Sequence, residues 1–182
     1  NLTNHFLIAM PGLKDSNFFH TVTYICEHND DGAMGIVLNR PTDLQLNDIL
    51  EQLDISPSPQ SAGSQTIYLG GPVQTDRGFV LHSSGQEWDS TMRITPQISV
   101  TTSKDILQSI AEEKGPRKTF VALGYAGWGE GQLEDELSAN AWLSGPADEN
   151  IIFELAVEKR WAAAAELLGV DVNLLSGEAG HA

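Results

Sequence analysis

YICEHNDDGAMGIVLNRP, residues 24–41, carries one apolar run into another across a turn. Thr21 to Glu27 is β-branched and aromatic, the composition of a strand. Asn29-Asp30-Asp31-Gly32 is turn chemistry, and Ala33 to Leu38 is an apolar run of strand length. The stretch predicts a β-hairpin. It also holds the chain's one cysteine, Cys26, followed by Glu27 and His28.

Side chains alternate across a strand. Val22, Tyr24, Cys26 and His28 are therefore expected on one face, with Thr21, Thr23, Ile25 and Glu27 on the other. This leaves two readings open. In one, His28 leans along the strand towards Cys26, and an imidazolium lowers the thiol pKa to give a nucleophilic thiolate. In the other, Val22 and Tyr24 mark a core-facing row, and Cys26 is an ordinary buried cysteine.

Working outward, His5 to Ala9 reads as a strand before the hairpin. Beyond it, Leu46, Ile49, Leu50 and Leu53 share one helical face. Residues 54–65, DISPSPQSAGSQ, read as a mobile surface loop. Thr66 to Leu69, Gly78 to His82, Ile98 to Thr101 and Thr119 to Leu123 read as strands. Ser103 is expected to cap a helix that runs to Lys114 and stops at Gly115-Pro116. A glycine-rich turn then leads into a short helix marked by Leu133 and Leu137. Ile151 to Phe153 reads as a short strand, and Val157, Trp161, Ala164 and Leu168 line a last helix ending at Gly169. Mixed helices and hairpin-linked strands predict an α+β domain with a largely antiparallel sheet.

The 182 residues suit a single domain spanning 1–182. No apolar run approaches the ~18 residues of a membrane helix. The first residues, NLTNHFLIAMPGLKD, do not resemble a secretory signal, and a lone cysteine fits a reducing cytoplasm. Ten basic against 25 acidic residues leave a net charge of −15. From Glu130 through Glu158 there are eight acids and no Lys or Arg. Nucleic-acid affinity rests largely on cations that neutralise phosphates, so direct nucleic-acid binding is disfavoured.

Other constellations are weighed against plain structural roles. Arg40, in Asn39-Arg40-Pro41, offers a donor fork for a carboxylate or phosphate, while Asn39 and Pro41 suit a loop. Gly70-Gly71-Pro72 and Arg77-Gly78 could bring a backbone close to a ligand, or simply turn it. His82 beside Ser83 and Ser84 suggests a hydrolase, without a G-x-S-x-G elbow. Gly124, Gly127, Gly129 and Gly131 bracket Tyr125 and Trp128, but acids follow where a phosphate loop needs lysine. That segment suits an aromatic surface for a partner or ligand, or packing. The five histidines show no metal-ligand spacing, so neither a metal nor a cofactor is expected.

Residues 6–41, YLGGPV (68–73), RGFVLH (77–82), GYAGWGEGQLEDEL (124–137) and RWAAAAELLGVD (160–171), in this order, closely resemble the AlgH/YqgE family of bacterial proteins. The resemblance implies an α+β fold with a bifurcated sheet, a small closed barrel and flanking helices. Some members of the family carry a transcriptional-regulator label. The expectation is a cytoplasmic, non-enzymatic regulatory or binding protein acting through a protein or small-molecule partner. Its surface would draw on Cys26, His28, Asn39, Arg40, Arg77, His82 and Trp128. The alternative is a thiol-dependent enzyme or redox sensor that uses Cys26 with His28. A hydrolase built on His82 and a nearby serine is a third option.

Overall fold

The computed structural model describes residues 1–10, 20–56 and 61–170. Strands β1 (His5–Ala9), β2 (Val22–Asn29) and β3 (Gly32–Val37) come first, followed by β4 (Pro41–Gln45) and helix α1 (Leu46–Gln52). Next are β5 (Thr66–Leu69), β6 (Val73–Ser83), β7 (Thr91–Arg93), β8 (Ile98–Thr101) and helix α2 (Asp105–Ala111). The chain continues through β9 (Thr119–Trp128), α3 (Gln132–Ser138), β10 (Trp142–Pro146), α4 (Glu149–Phe153) and α5 (Arg160–Leu167).

The β2–β3 hairpin forms as the turn chemistry predicts. The Asn29 side chain accepts from the Asp31 amide at 2.8 Å. Gly32 sits at φ 138°, and a Cβ there would meet the Trp128 carbonyl oxygen at 2.2 Å. Only glycine fits both the backbone angle and the close approach.

The strands pair in the order β10-β1-β2-β3-β9-β6-β8-β7, all antiparallel. β5 adds a single parallel pairing, to β9. One edge of β9 serves two partners, β5 at Ala122–Leu123 and β3 at Ala126–Trp128. The fork is stitched at Gly70, whose amide donates to Leu123 and whose carbonyl accepts from Val37, both at 2.8 Å. A Cβ on Gly71 would lie 2.0 Å from the Tyr125 carbonyl carbon. These glycines thus let one backbone cross another, which explains Gly70-Gly71 without a ligand. Among the described residues the strand path has free ends at β10 and β7. The sheet is a curled, open half-barrel, and the implied small closed barrel is corrected to that.

Three apolar clusters hold the helices to the sheet. Phe6, Tyr24, Leu81 and Phe120 pack with α4 and α5 through Ile151, Ile152, Ala164 and Ala165. Leu7, Ile25, Trp128 and Trp142 pack on α3 through Leu133. Leu46 and Leu50 of α1 meet Ile106 and Ile110 of α2 over Val80 and Val121.

Several element expectations need correcting. Residues 151–153 lie in a helix, because the Asp148 carboxylate caps it by accepting from the Asn150 amide at 2.8 Å. Ser103 does not cap α2. Its hydroxyl donates to Asp105 and accepts from the Ser90 amide. The segment 124–128 is not a turn but the second half of β9. Within the stretch expected to be a mobile loop, residues 61–64 form a short 3₁₀ turn, and 57–60 lie outside the described residues.

Candidate functional site

The decisive irregularity of β2 is at Cys26. Ile25 pairs with Gly35 and Glu27 with Met34, so Cys26 is an extra residue in the ladder. A bulge of this kind breaks strict alternation. Cys26 stays with Val22 and Tyr24 in the cluster under α4 and α5. His28 turns instead towards the chain start and α3, where its Nδ1 accepts from the Leu2 amide at 2.9 Å. Its Nε2 faces a Glu134 carboxylate oxygen at 3.2 Å. The Glu134 carboxyl is held below its ordinary range by its own backbone amide and then by His28.

The expected shared face of Cys26 and His28 is therefore corrected. The thiol is 1% exposed. Burial pushes its pKa well above the ordinary range, and the Glu27 charge raises it further. A nucleophilic thiol needs exposure and a positive neighbour, and Cys26 has neither.

His82 is fully buried. One ring nitrogen, Nδ1, lies 2.9 Å from the Ser83 carbonyl oxygen and must donate to it. The other, Nε2, is then an acceptor for the Thr101 hydroxyl at 2.7 Å. Thr91 in turn donates to Thr101 at 2.7 Å, and its oxygen accepts from the Trp88 amide at 2.8 Å. Burial holds the His82 pKa below its usual value, against the pull of the Ser83 carbonyl, and so favours the neutral ring that this chain of donors describes. The serines look elsewhere. The Ser83 hydroxyl accepts from the Lys118 amide, and that of Ser84 contacts Thr95 and Ser99. Among the described residues the ring's hydrogen-bond partners are the Ser83 carbonyl and the Thr101 hydroxyl, and no serine hydroxyl meets it.

Asn39 is a splint. Its carbonyl oxygen accepts from Val22 and its amide donates to the His20 carbonyl, both at 2.9 Å. Arg40 is half-buried and already engaged. Trp128 is 6% exposed and packs edge to face on Trp142. Both indoles donate to one oxygen of Glu136, at 2.9 and 2.8 Å. Sequence reading missed Glu136 as the anchor of that pair. An acid four residues after Gln132, within reach of two tryptophans, was the available signal.

Arg77 is placed differently. Val73 pairs with Tyr125 and Gly78 with Leu123, so five steps along β6 answer two along β9. The surplus bows out of the sheet, with Gln74 at φ 51°, and carries Arg77 on it. The guanidinium donates to Thr102 at 3.2 Å and to Gln74 at 3.4 Å, and lies 5.7 Å from the Phe79 ring centroid. Among the described residues no carboxylate comes within 4 Å of it. Two openings share this side chain. One, of about 340 Å³, lies between α1, α2 and the sheet. The other, about 400 Å³, is lined by Met34, Phe79, Met92, Val100 and Tyr125, and by Glu27. Of the seven residues picked from sequence, Arg77 alone is exposed; Trp128 lines another opening, of about 540 Å³, but is itself buried. The others are in the core or tied into the frame. Among the described residues no three His, Cys, Asp or Glu side chains converge as a metal site requires.

The AlgH-like family model matches residues 6–173. The chain belongs to the AlgH-like family. A UPF0301 protein of Thioalkalivibrio sulfidiphilus is 60% identical over 182 residues, covering 100% of this chain and 97% of that protein. A UPF0301 protein of Nitrosococcus oceani is 54% identical over 179 residues, covering 98% and 96%. The solution structure of the AlgH protein from Pseudomonas aeruginosa is similar at a TM-score of 0.83 and 54% identity, covering 100% of this chain and 96% of that one. A Corynebacterium diphtheriae protein, 19% identical at a TM-score of 0.72 and covering 92% and 87%, shares the fold. The AlgH-like chain is thus α+β with a mostly antiparallel sheet. Among its described residues no helix is long and apolar enough to cross a membrane.

Proposed function

We propose that this AlgH-like chain is a non-enzymatic regulatory or binding protein of the cytoplasm, and that it works through a partner held at the two openings that share Arg77. One contrast carries the reading. Cys26 and His82, the groups singled out for covalent or acid–base chemistry, are enclosed, whereas Arg77 is an exposed cation with no acid partner among the described residues, in a chain of net charge −15. A guanidinium fork over an aromatic face suits the capture of a carboxylate. The same net charge speaks against nucleic acid as the partner.

The test is a thermal-shift screen of small anions and peptides on the intact protein, repeated with Arg77→Ala. Ligands that stabilise the native chain are expected to lose that effect in the variant, whose own melting temperature stays close to the parent's. A turnover activity that disappears with Cys26→Ala or His82→Gln in a still-folded protein would refute the proposal.

A further inference from the structure

The opening between α1, α2 and the sheet combines an aliphatic lining with two cations. Its walls are aliphatic, among them Leu44, Ile49, Leu53, Leu107, Val121 and Leu123. Arg77 and Lys104 also line it, and Arg77 is tied to Thr102, two residues before Lys104, at 3.2 Å. Both cations are exposed, and among the described residues neither has a carboxylate within 4 Å. Asp76 is the other charged residue of the lining, which therefore carries an excess of one positive charge. Small-molecule sites are mostly apolar cavities of ~300–1,000 Å³ with a few placed polar groups, and this one has about 340 Å³. At roughly 30 Å³ for a water-sized group, that space takes about ten non-hydrogen atoms.

We infer that this cavity binds a medium-chain aliphatic monocarboxylate, with its chain against α1 and α2 and its carboxylate between Arg77 and Lys104. This rests on the reading of Arg77 as a binding group and adds the chemical class of the ligand. A chain of about eight carbons fills the aliphatic part, and burying it supplies the affinity. The carboxylate takes the guanidinium fork and the ammonium together, each a charge-assisted bond. The aliphatic walls at the chain's far end select against a second carboxylate, and the paired cations select against an amine.

Calorimetric titration of the intact protein with octanoate, suberate, octylamine and acetate tests this. Octanoate is expected to bind, with acetate, suberate and octylamine each weaker by about tenfold or more, as the loss of burial or of a charge-assisted bond implies. R77Q combined with K104Q should weaken octanoate at least tenfold. Leu53→Phe, at a half-buried position on the cavity wall, should do the same by filling the space, with the far-ultraviolet spectrum unchanged. Octylamine or suberate binding as well as octanoate, or octanoate indifferent to Leu53→Phe, would overturn the assignment. If octanoate fails while some other anion still depends on Arg77, the acyl class falls and the broader binding reading stands. If no ligand responds to R77Q, both fall.

Discussion

The Cys26–His28 segment and the Arg77 segment both break a strand, and they break it to opposite effect. At Cys26 one extra residue turns the histidine away from the thiol, leaving Cys26 in the core cluster and His28 against Leu2 and Glu134. At Arg77 the surplus residues leave the ladder altogether and present a cation to two openings. A one-residue bulge keeps a strand in the core and only swaps faces. A larger excursion puts the side chain at the surface. The difference separates a group that stabilises the fold from one that can serve a ligand.

The closed half of this comparison is broken most severely at the tryptophan pair. Trp128→Ala removes a buried ring from Trp142 and one of the two indole donors from Glu136. It is expected to cost about 3–5 kcal/mol in urea unfolding. A loss under about 1 kcal/mol would mean that this region packs more loosely than described. Next is the buried chain through His82. Thr101→Val leaves the ring nitrogen without a donor and is expected to cost about 1–3 kcal/mol.

The same chain has a pH signature. Burial lowers the His82 pKa in the folded state, so the unfolded chain binds more protons at mildly acidic pH. The stability His82 contributes is therefore fully present above the unfolded value, about 6.5. It is lost as pH falls from there through the lowered folded value. Denaturant midpoints measured from pH 7.5 downward should decline across this window, and the decline should be shallower in His82→Gln. Equal slopes in the two proteins would show that the ring charges freely in the fold.

Much of the frame was legible in the residues. The hairpin followed from Asn29 to Gly32, and the α1 face from Leu46 and Leu50, because turn chemistry and period are local properties. β10 was not read, since Trp142–Pro146 includes Gly145 and Pro146 and earns its pairing only from β1 across the whole sequence. The site was less legible. Alternation puts His28 beside Cys26, and a bulge is visible only in the register with β3. Arg77 was one candidate among seven, and nothing local marks the lost pairing from residue 74 to 77 that exposes it.

The smallest expected effect sharpens the open half. Arg77→Ala should change folding stability by no more than about 0.5 kcal/mol, since an exposed side chain with two long hydrogen bonds contributes little. A loss of several kcal/mol would make Arg77 a structural residue like the others.

The most direct test is the rate at which native protein reacts with a thiol reagent, followed against pH and against urea. If the bulge seals Cys26 as described, labelling in plain buffer is slow, shows no inflection below the ordinary thiol range, and accelerates in step with unfolding as urea rises. Rapid labelling of the folded protein, with a midpoint near neutral pH that disappears in His28→Ala, would contradict the separation of thiol and imidazole.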